Sequence, residues 1–252
     1  MYLYSNRQAT LEKYRNLSNP PIKEVAIGLF YAESIPLEFY GELLSVYKGL
    51  EYVINEKTVI NFTFNDGLSS PSIVKDGSLI HSNDKDSTIQ LDKKGVIFTF
   101  KAKYDSWETT YEDVQFFLDS LNNGDLSKSL VKTISVKYLN RINFKASEYR
   151  DILSNVKFRP SNLDNDTPPQ SYMTHVQRKV QDTITTNLIS NLKLCGNDDQ
   201  LFHLDTQISV IKETSLPLKQ FADPVHFTEL REIKNKLFFS CFDEKLMSKY
   251  DE

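Results

Sequence analysis

The sequence predicts an α+β fold with mainly antiparallel sheets, each packed by helices, in two similar halves. Predicted strands occur in pairs joined by short turns, which is typical of hairpins rather than of parallel βαβ units. In both halves the strands are followed by a segment whose apolar residues recur at helical spacing. The chain also has 16 Phe and 13 Tyr but only 3 Met, so we expect an interior rich in aromatic rings.

The first half supplies most of the predicted strands. The apolar run 22–31 follows Pro20 and Pro21, which favour an extended chain over a helix. The polar stretch 65–87 is predicted to be a loop that holds one edge strand. The predicted strands are 22–31, 58–64, 72–75, 88–92, 96–103 and 132–144, and helices are predicted after Pro36, after the cap Asp105 and at 147–154.

The second half is predicted to contain three strands and a final helix. Strands at 172–180, 184–195 and 201–212 lead to a helix that starts at Asp223 and Pro224. The predicted buried face of this helix consists of Phe227, Leu230, Ile233, Leu237 and Cys241.

A proline-rich polar stretch separates the two halves. Three prolines fall within 159–170, and their neighbours are polar, which is typical of a linker. We therefore predict an N-terminal α+β domain at 1–158, a linker at 159–170 and a C-terminal β-hairpin plus helix domain at 171–252. The sequence leaves open whether the two halves share one sheet.

Composition narrows the classes of function. The formal net charge is −4, and lysines are interleaved with acidic residues, which disfavours nucleic acid as a partner. Only 8 glycines are present, and none are spaced as a phosphate-binding loop requires. No apolar run approaches the roughly 18 residues of a membrane span, and the start of the chain is too polar for a signal peptide. We expect a cytoplasmic protein without a membrane partner.

Cysteine and histidine spacing predicts neither a metal site nor a cofactor. Cys195 and Cys241 are predicted to be buried thiols rather than a disulfide framework. The four histidines are at least 23 residues apart, so none forms a short-spaced pair of zinc ligands.

Polar residues in the strand 132–144 are the first candidate site. Strand alternation places Tyr138 and Asn140 on the apolar face and Arg141 on the opposite face. A buried amide needs hydrogen bonds, so Asn140 either ties down a neighbouring loop or meets a ligand. Arg141 either pairs with nearby acidic side chains or binds a carboxylate or phosphate.

Three further residues complete the candidate set. His203 and Asp205 share a strand face, as an imidazole oriented by a carboxylate would, but no activated nucleophile accompanies them. Trp107 either anchors its helix on the sheet or forms a partner hot spot. We predict no catalytic residue, and the predicted ligand- or partner-binding residues are Tyr138, Asn140, Arg141, Trp107, His203 and Asp205.

Four segments together resemble a sporadically distributed, uncharacterised prokaryotic protein family. They are NPPIKE at 19–24, the acidic turn near Asp92, YDSWE at 104–108 and YLNRI at 138–142. The family usually has alanine where Pro20 stands, and the similarity fades after residue 150 apart from Leu204, Asp205 and the last helix. The scattered distribution of the family implies a link to mobile, defence-associated or toxin–antitoxin genes.

Three hypotheses about function follow. The first is a non-enzymatic interaction protein, an accessory, sensor or neutralising subunit of a bacterial defence or toxin–antitoxin assembly. Its partner would be a protein encoded by an adjacent gene, with a homo-oligomer as a further arrangement. The second is an enzyme or effector that acts on nucleic acid or a nucleotide through Arg141, His203 and Asp205. The third is small-ligand capture by Tyr138 and Asn140 in an aromatic pocket.

Overall fold

The computed structural model describes residues 17, 20–50, 52–65, 68–82, 86–101, 106–121, 124–157, 171–195 and 201–250. The predicted linker at 159–170, the predicted cap Asp105 and the side chain of Cys195 lie outside the described part of the chain. No helix of the described residues combines the length and the apolar character that a membrane span needs.

Nine strands of the described chain form one antiparallel sheet. The order along the sheet is β2-β3-β4-β5-β1-β6-β9-β8-β7, so hairpins occupy both ends and β1, β6 and β9 lie between them. The strands are β1 (Ile22–Tyr31), β2 (Val53–Asn65), β3 (Leu68–Ser82), β4 (Ser87–Asp92), β5 (Gly95–Phe100), β6 (Leu130–Lys145), β7 (Ser171–Gln181), β8 (Ile184–Cys195) and β9 (Leu201–Pro217).

Six α-helices accompany the sheet in the described residues. They are α1 (Gly41–Gly49), α2 (Trp107–Asp119), α3 (Asp125–Lys128), α4 (Tyr149–Ser154), α5 (Val225–Cys241) and α6 (Glu244–Met247). A 3-10 turn at Leu37–Tyr40 leads into α1, and another at Leu218–Ala222 precedes α5.

The chain falls into two compact units. The first unit comprises Met1–Val25, Val136–Lys212 and Phe227–Glu252, and the second comprises Ala26–Ser135 and Glu213–His226. Strands β1, β6 and β9 each contribute residues to both units.

The core of the first unit lies between one face of its strands and the helices α4, α5 and α6. Phe144 and Phe202 stack at its centre, with ring centroids 5.5 Å apart. Complete burial of such a ring stabilises the fold by roughly 1.5–3 kcal/mol. The buried apolar residues are Ile142, Phe144, Tyr149, Ile152, Leu153, Val156, Leu188, Leu192, Phe202, Leu204, Ile208, Phe238, Cys241, Phe242, Leu246 and Met247.

The second unit is organised by buried tyrosines that hydrogen-bond while their rings pack. The hydroxyls of Tyr31 and Tyr40 lie 3.0 Å apart, and the Tyr40 hydroxyl donates to the Asp92 carbonyl at 2.9 Å. Burial, with smaller contributions from neighbouring groups, raises the pKa of both tyrosines well above the ordinary value. The Tyr111 hydroxyl donates to the Phe221 carbonyl in the 3-10 turn before α5. These bonds let polar rings fill a dry interior.

The β2–β3 hairpin contains a bulge that requires a glycine beside it. Lys57 pairs with Gly77 whereas Thr58 pairs with Lys75, so Asp76 is the extra residue. The Lys57 ammonium lies 3.3 Å from the Asp76 carboxylate and 3.6 Å from that of Asp92. A Cβ atom added at Gly77 would overlap the backbone carbonyl of β4 at Leu91.

The α+β class and the antiparallel pairing are confirmed, and the strands form one sheet where the sequence predicts more than one. The hairpin of β4 and β5 is where the sequence places it. The N-cap of α2 is Ser106, whose hydroxyl oxygen accepts a hydrogen bond from the Thr109 amide at 3.0 Å. The similarity of the two halves and the domain boundaries remain predictions.

Two predictions about elements are wrong. The composition of 65–87 predicts mostly loop, but β3 spans Leu68–Ser82, because its backbone pairs with both β2 and β4. Backbone pairing outweighs a polar composition here. The predicted buried face of α5 is wrong at two positions, since Lys234 and Phe238 are buried whereas Ile233 and Leu237 are only partly buried. Phe227, Leu230 and Cys241 are buried as predicted.

The close approach of β3 and β4 beside the bulge predicts that two glycine-to-alanine substitutions change the free energy of unfolding differently. We expect Gly77→Ala to lower the free energy of unfolding by about 2 kcal/mol or more, because backbone atoms must move to admit the Cβ. Gly41→Ala is the matched control, since Gly41 is helical and has no atom within 4 Å of an added Cβ. Urea denaturation of both variants is the measurement. Equal stabilities of the two variants would contradict the close approach of β3 and β4.

Candidate functional site

Two neighbouring strands, β6 and β9, carry five of the six predicted site residues. Tyr138 and Asn140 face the core and are 1% and 3% exposed. Arg141, His203 and Asp205 are half-buried on the opposite face. Strand alternation therefore divides the predicted site into a buried part and a surface part.

The surface part belongs to what we call the open face. We define it as the face of β6, β9, β8 and β7 opposite the core of the first unit. Direct pairing aligns its side chains in rows across three strands: Asp205 faces Asn191, which faces Met173. In the next row His203 faces Lys193, which faces Ser171. The residues in these rows are half-buried or exposed.

Arg141 and Asp205 form a bidentate ion pair on the open face. Nε of Arg141 donates to Oδ1 of Asp205 at 2.6 Å, and Nη2 donates to Oδ2 at 2.8 Å. The two side chains are 35% and 20% exposed, so water screens the pair only partly. The planar fork matches the carboxylate geometry, and the pair joins β6 to β9 across 64 residues of sequence.

His203 lies two residues before Asp205 on the same face. Partial burial and the Arg141 charge lower the pKa of His203 below its ordinary value, while Asp205 acts in the opposite direction. The Lys23 charge lowers it further. The imidazole is thus biased towards its neutral form, with a nitrogen available to accept a hydrogen bond.

On the buried face, Asn140 ties β6 to β9. Its amide Nδ2 donates to the backbone carbonyl of Thr206 at 3.2 Å. Asn140 is next to Arg141 in β6, and Thr206 is next to Asp205 in β9. The side chains of β6 therefore bind β9 on both faces of the sheet. This matches the structural alternative for Asn140, with a strand rather than a loop as the partner.

Tyr138 contacts a buried lysine that the sequence analysis missed. The ammonium of Lys234 on α5 lies 3.6 Å from the centroid of the Tyr138 ring. Lys234 is 7% exposed, and no described carboxylate lies within ion-pairing distance of it. Tyr138 and Asn140 both contact protein groups, which disfavours the small-ligand hypothesis.

Burial and the Tyr138 ring have opposite effects on the charged form of Lys234. The electron-rich face of Tyr138 attracts a cation, whereas burial penalises the charged form. Burial dominates and, with repulsion from Arg231, lowers the pKa of Lys234 to about 7. The amine therefore titrates near neutral pH, unlike an exposed lysine.

Two further polar groups lie on the buried face beside Asn140. Ser190 and Thr206 are directly opposite each other on β8 and β9 and are 0% and 1% exposed. Neither hydroxyl has a hydrogen-bond partner among the described residues. Together with Asn140 and Lys234 they make this part of the core polar, which reduces the stability that burial provides.

Trp107 belongs to the second unit, whereas the other five predicted residues belong to the first. It is the first residue of α2 and is 4% exposed, with its ring 5.7 Å from that of Tyr111. Its burial agrees with the anchoring interpretation rather than with an exposed hot spot.

Metal ligands, the Cys241 thiol and one cavity are the other features of the described chain that bear on chemistry. No cluster of three or more His, Cys, Asp or Glu residues there could hold a metal ion. Cys241 is buried as predicted, and burial raises the pKa of its thiol to about 12. A cavity of about 310 Å³ in the second unit is lined by Glu38, Glu42 and Asp125 among others, but by none of the six predicted residues.

Two comparisons with known proteins found no match. The chain matches no protein-family model, and no curated protein is significantly similar to it. The resemblance to the scattered prokaryotic family therefore remains a prediction.

The buried amine predicts a pH-dependent stability. The pKa of Lys234 is about 7 in the folded chain, against 10.5 for an unperturbed lysine, so between these values the unfolded chain binds more protons. The free energy of unfolding therefore rises with pH from 7 upwards. We expect Lys234→Met to raise it at pH 7 by roughly 1–4 kcal/mol and to flatten its pH dependence.

Urea denaturation between pH 7 and 8 measures this effect. The range stops one unit below 9.0, the ordinary pKa of a thiol, where an unfolded Cys241 would be half ionised while the buried thiol keeps its proton, and it lies well below the tyrosine range. Lys236→Met, an exposed substitution on the same helix, is the control and should keep the wild-type slope. A Lys234→Met protein that is less stable than wild type, with an unchanged slope, would exclude a penalised buried amine.

Proposed function

We propose that the chain is a non-enzymatic interaction protein, an accessory, sensor or neutralising subunit of a bacterial defence or toxin–antitoxin assembly. The observation that carries the proposal is the open face. Two of its polar residues, Arg141 and Asp205, are bonded to each other, so their side chains form part of a fixed surface. A rigid, mostly polar sheet surface is suited to recognising another folded protein at little entropic cost.

Charge on the open face indicates which partners it fits. Arg141, Lys193 and Lys179 lie on it with Asp205, and Lys137 pairs with Glu24 at 3.0 Å. Among these residues cations exceed carboxylates, although the whole chain has a net charge of −4. A partner with an acidic surface complements this distribution.

Partner capture with matched charge reversals tests the proposal. The tagged wild type, Lys193→Glu on β8 and Lys236→Glu on α5 are used as baits in the native host, followed by quantitative mass spectrometry. Both lysines are exposed, so the two variants change charge equally at different surfaces. We expect a defined protein to be enriched with wild type and Lys236→Glu and to fall at least about tenfold with Lys193→Glu.

Reconstitution completes this test. The enriched protein, once purified, should bind the purified wild-type chain directly and more weakly at high salt. The proposal fails if no protein is enriched above an empty tag, or if the two variants capture the same proteins equally.

A nucleic-acid or nucleotide-acting effector is a second candidate, favoured by one specific observation. The three ionisable residues that this function needs, Arg141, His203 and Asp205, lie together on the open face. Retention of the chain on single-stranded and double-stranded nucleic acid at increasing salt distinguishes the two candidates. Salt-sensitive retention that Lys193→Glu abolishes and Lys236→Glu preserves would favour nucleic acid over a protein partner.

A further inference from the structure

Strand β7 lies at one end of the sheet. Its residues pair with β8 on one side, and no described strand pairs with it on the other side. An edge strand of this length presents backbone amides and carbonyls in a row, which is a template for pairing with another strand.

The features of β7 that hinder pairing with another strand lie at one end of it. Arg178, Lys179 and the register shift after Lys179 lie near its C-terminal end. The preceding residues 171–177 contain no lysine, arginine, acidic residue or proline. Exposed apolar side chains are present at this edge as well, since Met173 is 70% exposed and Val180 is 50% exposed. Charges, bulges and prolines are the usual devices that keep edge strands apart.

The sequence of β7 complements itself in an antiparallel arrangement. The span Ser171–Lys179 contains no bulge, and His175 is its central residue. A second copy related by a twofold axis at His175 would place Lys179 opposite Ser171, Arg178 opposite Tyr172, Gln177 opposite Met173 and Val176 opposite Thr174. Each of the two permanent cations would then face an uncharged residue, and Arg178 would meet an aromatic ring. A twofold axis at Arg178 would instead oppose two arginines.

We propose that β7 pairs with β7 of a second copy of this chain, which forms a symmetric dimer through antiparallel strand addition. The dimer satisfies the backbone groups of the edge and covers Met173 at the β7 border of the open face, and it does not require the partner of the proposed function. Its interface is isologous, so a residue at the axis meets its own copy. His175 is exposed, which allows substitution at the axis without disturbing the core.

Complementary charges at the axis test this arrangement. His175→Lys and His175→Glu each oppose two like charges at the centre of the interface, so each variant alone should have the mass of one chain, 29.1 kDa, in sedimentation equilibrium. Mixed in equal amounts they should regain the dimer mass, because lysine then faces glutamate. Wild type and the surface control Lys236→Glu should be dimeric at the same concentration.

A wild-type chain that stays monomeric at all concentrations overturns the dimer. Variants that remain dimeric alone place the interface elsewhere. Far-ultraviolet circular dichroism spectra of the two variants that match the wild type show that loss of the dimer is not loss of the fold, since the urea midpoint itself falls when a dimer dissociates.

Discussion

The attachment of β6 to β9 is the constraint on which the first unit depends. Arg141 holds Asp205 on the open face, and the adjacent Asn140 holds the backbone at the adjacent Thr206 on the buried face. The two bonds fix the same register from opposite sides of the sheet. A slip of one residue would turn Arg141 into the core and Asn140 to the surface, with an unpaired charge buried as the result.

This constraint gives the most conspicuous polar residues of the sequence a structural role. A bidentate ion pair satisfies the strongest donors of Arg141, and the carboxylate nearest to His203 along the strand accepts hydrogen bonds from the guanidinium instead. What remains for recognition is the surface that these bonds keep in place. The open face and the edge of β7 follow from the same three-strand arrangement, in which β9, β8 and β7 are joined as successive hairpins.

Parts of this arrangement can be read from the sequence because they depend on local alternation. The period of two in β6 separates Tyr138 and Asn140 from Arg141, and the same period puts His203 and Asp205 on one face. The pairing of Arg141 with Asp205 is not local, since 64 residues separate them, and only the strand order of the folded sheet brings them together. Strand β3 escapes sequence analysis for a similar reason: its polar sequence is stabilised by backbone pairing with β2 along most of its length and with β4 from Gly77 to Ser82.

Lys234 shows a different limit of sequence analysis. Leu230, Lys234 and Phe238 follow one another at four-residue spacing, so the signal for a buried lysine is present in the sequence of α5. The choice of Ile233 and Leu237 as the buried face follows the rule that lysines are rarely buried. The Tyr138 ring attracts the Lys234 ammonium and so offsets part of the free energy that its burial costs. That contact depends on the tertiary packing of α5 on the sheet.

Hydrogen exchange of the β6 and β9 amides in charge-swapped variants tests the central claim most directly. If the Arg141–Asp205 pair holds these strands in register, Arg141→Asp and Asp205→Arg should each accelerate exchange in both strands, and the double swap should restore protection. Fast exchange in the double swap, or wild-type protection in both single reversals, would show that the pair does not fix the strands and that its residues are free for another role.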